Sequence, residues 1–414
     1  MTATGFTDSY PFALSRQAFG PLRELIGDAR IVAIGENNHH IAEFNVVRDQ
    51  VLRFLVEELG FGVLGFESGF AEGRRVDDWI RGGGGDVTDV ARDGFTFSLG
   101  DSAEMHGMLR WMREYNSAGG RVRYSGLDVA ASAGSPEPSL RAVREYFEEH
   151  GPNAMSIVDT ALAATARYSG ASSAVSPARY AALPRAERDR ATAALAGVVA
   201  HLDTLAAHYT ERSGAAAFAS ARHNALGAVR LDGYLGELEA LTAGTAGPVS
   251  GSARDTYMAE TVRLLRDLHG PDERIVVMLH NGHLQRVPVP LTPASSAVSA
   301  GTQLASAFGD DYFALALTAG EGTTTGLAPK EGARLGFEVH ELPLDPPAPG
   351  TVEHELAGGR EQLLDLRAAR RAGTGGPRGI RHATITSDVA VADAFDALVY
   401  LPYMQVSGFV RAEA

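Results

Sequence analysis

The chain has 414 residues, 45% of them hydrophobic and 21% charged, which excludes a disordered protein or a single small module and leaves ample material for a buried core. With 37 basic against 51 acidic residues the net charge is −14, so most of the surface repels phosphate backbones and anionic lipid; neither nucleic-acid nor membrane partners are expected. There is no cysteine, hence no disulfide, no thiolate nucleophile and no Cys-ligated metal.

The first predicted strand is Arg30–Gly35 (RIVAIG), followed by a helix over Ala42–Leu59 whose apolar positions Phe44, Val47, Val51, Phe54, Leu55 and Leu59 recur at three- and four-residue spacing up to Gly60. Strands Gly62–Phe66 and Arg121–Gly126 come next. From about Pro138 to Leu268 the pattern turns alanine-rich and helical, with predicted helices over Leu140–His150, Ala154–Tyr168, Glu187–Tyr209 and Ala216–Leu241 and no strand among them. Strands resume at Arg274–Leu279, Tyr312–Thr318 and Asp396–Leu401, while Pro343–Gly350 and Ala372–Gly379 read as surface loops. Nearly continuous apolar runs suit parallel strands buried on both faces. The expected fold is therefore α/β, a mostly parallel sheet flanked by helices with an inserted all-helical subdomain: residues 1–135 plus 270–414 form the catalytic domain and 136–269 a helical lid. The N-terminal stretch lacks a basic n-region and an apolar h-region, and no apolar run reaches transmembrane length, so a cytoplasmic protein is the expectation.

Open parallel sheets bind ligands outside the carboxyl ends of their strands. Here those ends are unusually polar: Glu36 and His39 in GENNHH after the first strand, Glu67 after the second, Asp128 after the third, His280 and His283 in HNGH after the fourth. Taken singly, most read as cap or turn residues and Arg48 as a solvated or salt-bridged helix residue, while Glu67, at the end of an apolar strand, needs partners for its carboxylate. Their convergence on one cleft is the signature of a site. Two glutamates and three histidines also suit a divalent metal at Glu36, His39, Glu67 and His280, so the residue types alone leave that alternative open, as they do a binding protein without catalytic activity.

GE-x-x-H, an arginine twelve residues after its glutamate, LGFGVLGFE, GLDV, RDTYMAE and VVMLHNGHLQR, with the later GDDYFALALTAGEGT and FDALVYLP, together resemble the erythromycin esterase family from about Ala18 to Pro402. The resemblance implies a metal-independent hydrolase of macrolactone esters, without cofactor, acting on a small-molecule substrate. It implies His39 as the base that activates water, with Glu36, Glu67, Arg48 and His280 as further catalytic residues. His283, His40, Asn38, Asp101, Arg254 and Glu104 are then expected to contact substrate, and Asp255 and Glu260 belong to the matching RD-x-x-MAE segment. No G-x-S-x-G elbow is present, which counts against a serine-based α/β-hydrolase.

The sequence departs from the family at Gly100, Asp101 and Ser102, where Trp-Arg-Asn is common, and at Asn37, Asn38 and His40, where small residues are usual. An acid in place of an arginine suits a cationic or hydroxyl-rich ligand. The expected substrate is therefore an ester or lactone of a bulky natural product other than a clinical macrolide, the alternative being a cyclisation, dehydration or elimination on the same scaffold.

Overall fold

The computed structural model describes residues 9–11, 19–292, 295–373 and 376–409. Its centre is a nine-stranded sheet of β1 (Ser9–Pro11), β2 (Ile31–Ile34), β3 (Val63–Gly69), β4 (Arg123–Asp128), β5 (Ile275–Met278), β6 (Tyr312–Pro329), β7 (Phe337–Pro343), β8 (Gln362–Asp365) and β9 (Ala397–Met404). The order is β1-β8-β9-β6-β2-β5-β3-β4, with β7 paired to β6. All strands from β9 through β4 in this order pair in parallel, and they are the six strands read from the sequence. The additional strands β1, β7 and β8 pair antiparallel at the margin. β7 is largely exposed and β8 is four residues long, so neither carries the long apolar run by which buried parallel strands are recognised.

Side chains alternate between two helix-covered faces. Val32, Ile34, Leu64, Phe66, Val276 and Met278 pack with Phe44, Val47, Val51 and Leu55 of the helix Ala42–Leu59, while Ile31, Ala33, Val63, Ile275 and Val277 pack on the opposite face. Period-two alternation with both faces apolar produces this three-layer α/β/α arrangement. Met258, Ala259, Val262 and Leu265 of the helix Ala253–His269 belong to the second face.

Between β4 and β5 lie the helices Glu137–His150, Met155–Thr165, Ser176–Ala181, Arg185–Thr204, Ala206–Ser213 and Ala215–Thr242, with a core of their own that includes Leu140, Phe147, Val158, Leu195 and Leu202. The single helix expected over 187–209 is broken at Leu205, whose ψ of 20° interrupts the helical path. A short strand, Val249–Gly251, also falls in this stretch and pairs with Ser295–Val298, against the expectation of none; three exposed or half-exposed residues leave no apolar signal.

One close approach sets the geometry at the end of β3. The pairing runs Phe66↔Gly126 and then Gly69↔Asp128, so β3 carries an extra residue at Glu67–Ser68, a bulge that re-aims side chains next to the neighbouring strand end. A Cβ on Gly126 would lie 2.1 Å from the Gly69 carbonyl oxygen. Gly126→Ala is therefore expected to destabilise the fold by about 1–3 kcal/mol through overpacking, read as a lower urea midpoint; an unchanged midpoint would show that the strands can separate here without cost.

Candidate active site

The loop after β2 begins with Gly35, where a Cβ would lie 1.9 Å from the Asn281 side-chain oxygen, so a side chain here would displace Asn281 from its bonds to the Leu317 backbone. The Asn281 N–H donates to the Glu36 carbonyl at 2.8 Å. Glu36 is buried, and its two oxygens are divided: Oε1 meets His39 Nδ1 at 2.8 Å, and Oε2 accepts from Arg48 Nη1 at 2.8 Å. Arg48 comes from the helix Ala42–Leu59, is itself buried, and lies 5.0 Å from the Phe66 ring centre. Its role is to neutralise Glu36 from beneath.

With Nδ1 held by Glu36, His39 presents Nε2 towards Glu67 Oε1, 3.9 Å away. Glu67 is 1% exposed and sits at the crossing of several donors. Its Oε1 lies 3.0 Å from Arg254 Nη2 and 3.4 Å from His283 Nε2, and its Oε2 accepts the His280 backbone N–H at 2.6 Å. Arg254 also forms a bidentate pair with Asp128, at 2.6 Å from Nη2 and 3.0 Å from Nε. His283 Nδ1 is 2.8 Å from Asp255 Oδ1, and its Nε2 is 3.3 Å from Arg254 Nη1. Two carboxylate–imidazole pairs, Glu36–His39 and Asp255–His283, thus flank one carboxylate.

Burial would raise the Glu67 carboxyl, but the neighbouring His283, His39, Arg254 and His280 hold it well below the ordinary range. Burial likewise opposes the charge on Glu36, which Arg48 and His39 nevertheless keep below its usual value, and on Asp255, which His283 keeps low. For the two histidines burial favours the neutral form, yet carboxylates win: Glu36 and Glu67 hold His39 above its ordinary value, and Asp255 and Glu67 do the same for His283.

His280 is different. Nδ1 accepts the Gly282 N–H at 3.1 Å, so Nε2 carries the proton and donates to the Asn37 carbonyl at 2.7 Å. Both ring nitrogens are committed to backbone, and burial with the nearby His382 and His39 pushes its pKa well down. It is a neutral, fixed imidazole whose ring lies edge-on to His39 at 5.6 Å.

Of the residues singled out in the sequence, Glu36, His39, Arg48, Glu67, His280, His283, Arg254 and Asp128 form this cluster. Asn38 does not face it: its amide donates to Thr324 Oγ1 and the Thr325 carbonyl, both at 2.8 Å. His40 is buried against Phe409, and burial holds it at about 4, hence neutral. Asp101 pairs with Arg334 at 3.2 Å in the β6–β7 turn, and Glu104, in the first turn of the helix Ala103–Ser117, makes no bond to the cluster among the described residues. Glu260 pairs with Arg230. Sequence reasoning gave Asp255 no role, and passed over Phe97 and His382. Phe97 stacks on the His39 ring at 6.4 Å and lies 5.9 Å from the Arg254 guanidinium; His382 lies 4.3 Å from His280. Only Asp255, adjacent to Arg254 in RDTYMAE, had a sequence signal, since neither aromatic ring follows a predicted strand. Left-handed backbone at His40, Phe97, Ser98, Ala131, Ser132 and Ala133 borders the cluster, a concentration of strain common around functional sites.

The sequence model of the erythromycin esterase family matches residues 56–404. The chain belongs to this family. It is 33% identical over 343 residues to the type II erythromycin esterase of Escherichia coli, covering 82% of this chain and 81% of that one. With the type I enzyme of Escherichia coli it shares 27% identity over 401 residues, 94% of each chain. A mutant erythromycin esterase in its open conformation superposes with a TM-score of 0.84 at 24% identity, over 98% of this chain and 100% of that one; this last likeness concerns the fold. Membership makes the protein a hydrolase of ester bonds. The family match starts downstream of Glu36, His39 and Arg48, while the type I alignment and the superposition extend over nearly the whole chain.

Removing one partner of a buried ion cluster leaves uncompensated charge, typically about 3–5 kcal/mol. Arg254→Ala, which strands Glu67 and Asp128 together, is expected to fall in that range in a urea melt, more than truncation of the exposed ion pair Arg185–Asp189. The lowered carboxyls of Glu36, Glu67 and Asp255 contribute stability above their ordinary values of 4.5, 4.5 and 3.8, lost as pH falls through the folded values. The raised imidazoles of His39 and His283 contribute stability below 6.5, lost as pH rises through theirs. The urea midpoint should decline on both sides of the weakly acidic range.

Proposed function

We propose that the protein opens a macrolide lactone or a similarly bulky natural-product ester with water as the nucleophile, His39 acting as the general base. The observation that carries this reading is the Glu36 bond to His39 Nδ1. It makes Nδ1 the donor, leaves Nε2 as the lone pair in the neutral ring, and stabilises the imidazolium formed when Nε2 takes a proton from water. The hydroxide oxygen attacks the ester carbonyl, and charge develops on the carbonyl oxygen beside Arg254 and His283.

His283 is suited to protonate the departing alkoxide as the carbonyl carbon–oxygen bond breaks. Its Nε2 lies 3.4 Å from Glu67 Oε1 and 3.3 Å from Arg254 Nη1. Protonated, it donates to the carboxylate; after giving up the proton, it accepts from the guanidinium. Either state is satisfied, which is what an acid that cycles once per turnover requires. Asp255 fixes its orientation through Nδ1, and His280, with both nitrogens occupied, serves to position Glu67 rather than to transfer protons.

The reading is metal-independent. The metal alternative would need Glu36, His39, Glu67 and His280 to turn lone pairs towards one ion, whereas Glu36 is shared between His39 and Arg48, and His280 has no free nitrogen. The case for a non-macrolide, cationic ligand rested on Asp101, and that acid is paired with Arg334; the names of the two Escherichia coli relatives favour a macrolide. The helical segment is proposed to roof the cleft, since Tyr234 on the helix Ala215–Thr242 lies within electrostatic reach of Arg254 and Asp128.

Incubation with erythromycin should give a product heavier by one water, insensitive to exhaustive chelation. His39→Ala should lower kcat by about 10²–10⁴ in a folded protein. An isomer of unchanged mass would replace hydrolysis by a rearrangement, and activity abolished by chelation and restored by a divalent ion would replace the base mechanism by a metal-assisted one.

A further inference from the structure

Beneath the loop after β2 runs a buried chain that does not touch the cleft. Glu353, on the turn of helix Val352–Glu355, Thr318 in β6 and Asn37 are each 0% exposed. Glu353 Oε1 accepts from the Thr318 hydroxyl and, at 3.0 Å, from the Arg381 backbone N–H. Since the Thr318 proton is spent on Glu353, its oxygen is free to accept, and it does so from Asn37 Nδ2 at 3.2 Å. The direction of every bond in the chain is thereby fixed. At its far end the Asn37 carbonyl receives His280 Nε2 and the Ala383 N–H, each at 2.7 Å, and the His280 backbone N–H ends on Glu67.

We infer that Glu353 and Thr318 are positioning residues for the reaction: they hold the Asn37 peptide so that its carbonyl captures His280 Nε2–H, which sets the His280 backbone N–H on Glu67 and so the direction of Glu67 between His39 and His283. The three residues come from different elements, and a group buried this completely is retained against its desolvation cost only where its bonds are made. Glu353 Oε2 and Asn37 Oδ1 have no hydrogen-bond partner among the described residues, so the two bonds to Oε1 carry the orientation of Glu353 and the one bond to Thr318 carries that of the Asn37 side chain. Burial also raises the Glu353 carboxyl, over the opposing bonds from Thr318 and Arg381 N–H; glutamine keeps an accepting oxygen in the same place.

The inference rests on the hydrolytic reading for its kinetic readout only, so a second readout that needs no substrate accompanies it. Thr318→Val deletes the hydroxyl at nearly constant volume. It should lower kcat on erythromycin by about 10–100-fold with KM within twofold, as small misplacements of a reacting group do, and Thr318→Ser should restore most of the rate. Glu353→Gln should retain activity that Glu353→Ala loses. In ¹⁵N-histidine spectra of the same proteins, the Gly282 N–H keeps His280 as the Nε2–H tautomer throughout, while the His280 Nε2 resonance, which reads its bond to the Asn37 carbonyl, should be alike in the wild type and Thr318→Ser and shifted in Thr318→Val. The inference is overturned if Thr318→Val keeps the wild-type kcat, if Thr318→Ser fails to rescue it, or if the His280 Nε2 resonance is unchanged in Thr318→Val. Should no ester be hydrolysed by the wild type, the hydrolytic reading fails, and the His280 Nε2 resonance decides the positioning role by itself.

Discussion

A carboxylate that is 1% exposed imposes conditions on everything around it, and Glu67 is that group. Its charge is tolerable only with cations in contact, and each buried cation requires a counter-charge of its own. The consequences spread outwards: Arg254 is answered by Asp128, His283 by Asp255, His39 by Glu36, and Glu36 in turn by Arg48. The ledger of this cluster is four carboxylates against two arginines and two imidazoles. It is neutral only when both His39 and His283 are protonated, which is why both are held above their ordinary values despite burial. Taking one proton from the pair leaves the cluster one charge negative, next to the place where a reaction would develop and then discharge an oxyanion.

The fold supplies this arrangement because four neighbouring parallel strands end at the same edge. β4, β3, β5 and β2 are consecutive in the sheet, so Asp128, Glu67, His280 and Glu36 emerge within one side chain's reach of each other. Two features bring them closer than regular strands would: the bulge at Glu67, and the glycines at 126, which lets the β3 backbone pass, and at 35, which leaves room for the Asn281 side chain. Strained backbone at Phe97 and at Ala131–Ala133 closes the sides. Such strain persists where surrounding bonds over-determine the backbone, and here the Thr96 and Ser132 hydroxyls join the two loops while the Ala131 N–H donates to Glu72.

Much of this was legible in the sequence, for reasons that differ by residue. The six parallel strands announced themselves by uninterrupted apolar runs, and strand ends in an α/β sheet are where polar residues converge. Glu36, His39, Glu67, His280 and His283 could be gathered on that rule together with the family resemblance. What the sequence did not carry was orientation. That Asn38 would turn to Thr324, His40 to Phe409 and Asp101 to Arg334 depends on the β6–β7 hairpin and the C-terminal segment, both distant in sequence. His280 illustrates the same limit: as a residue type it suits acid–base work, and only the Asn37 carbonyl and the Gly282 N–H show that its nitrogens are spoken for. Phe97 and His382 reach the site from loops with no periodicity to mark them.

The coupling of His39 to Glu67 is the claim on which the rest turns, and the pH dependence of kcat/KM with Glu67 replaced by Gln reads it most directly. A general base must be neutral to act, so the rate of the wild type should fall as pH drops through a value above 6.5, where the flanking carboxylates hold His39. Removing the Glu67 charge while keeping its shape should move this acid limb to lower pH, together with a lower plateau. An acid limb that stays in place, or moves up, would contradict the coupling and with it the assignment of His39 as the base governed by this cluster.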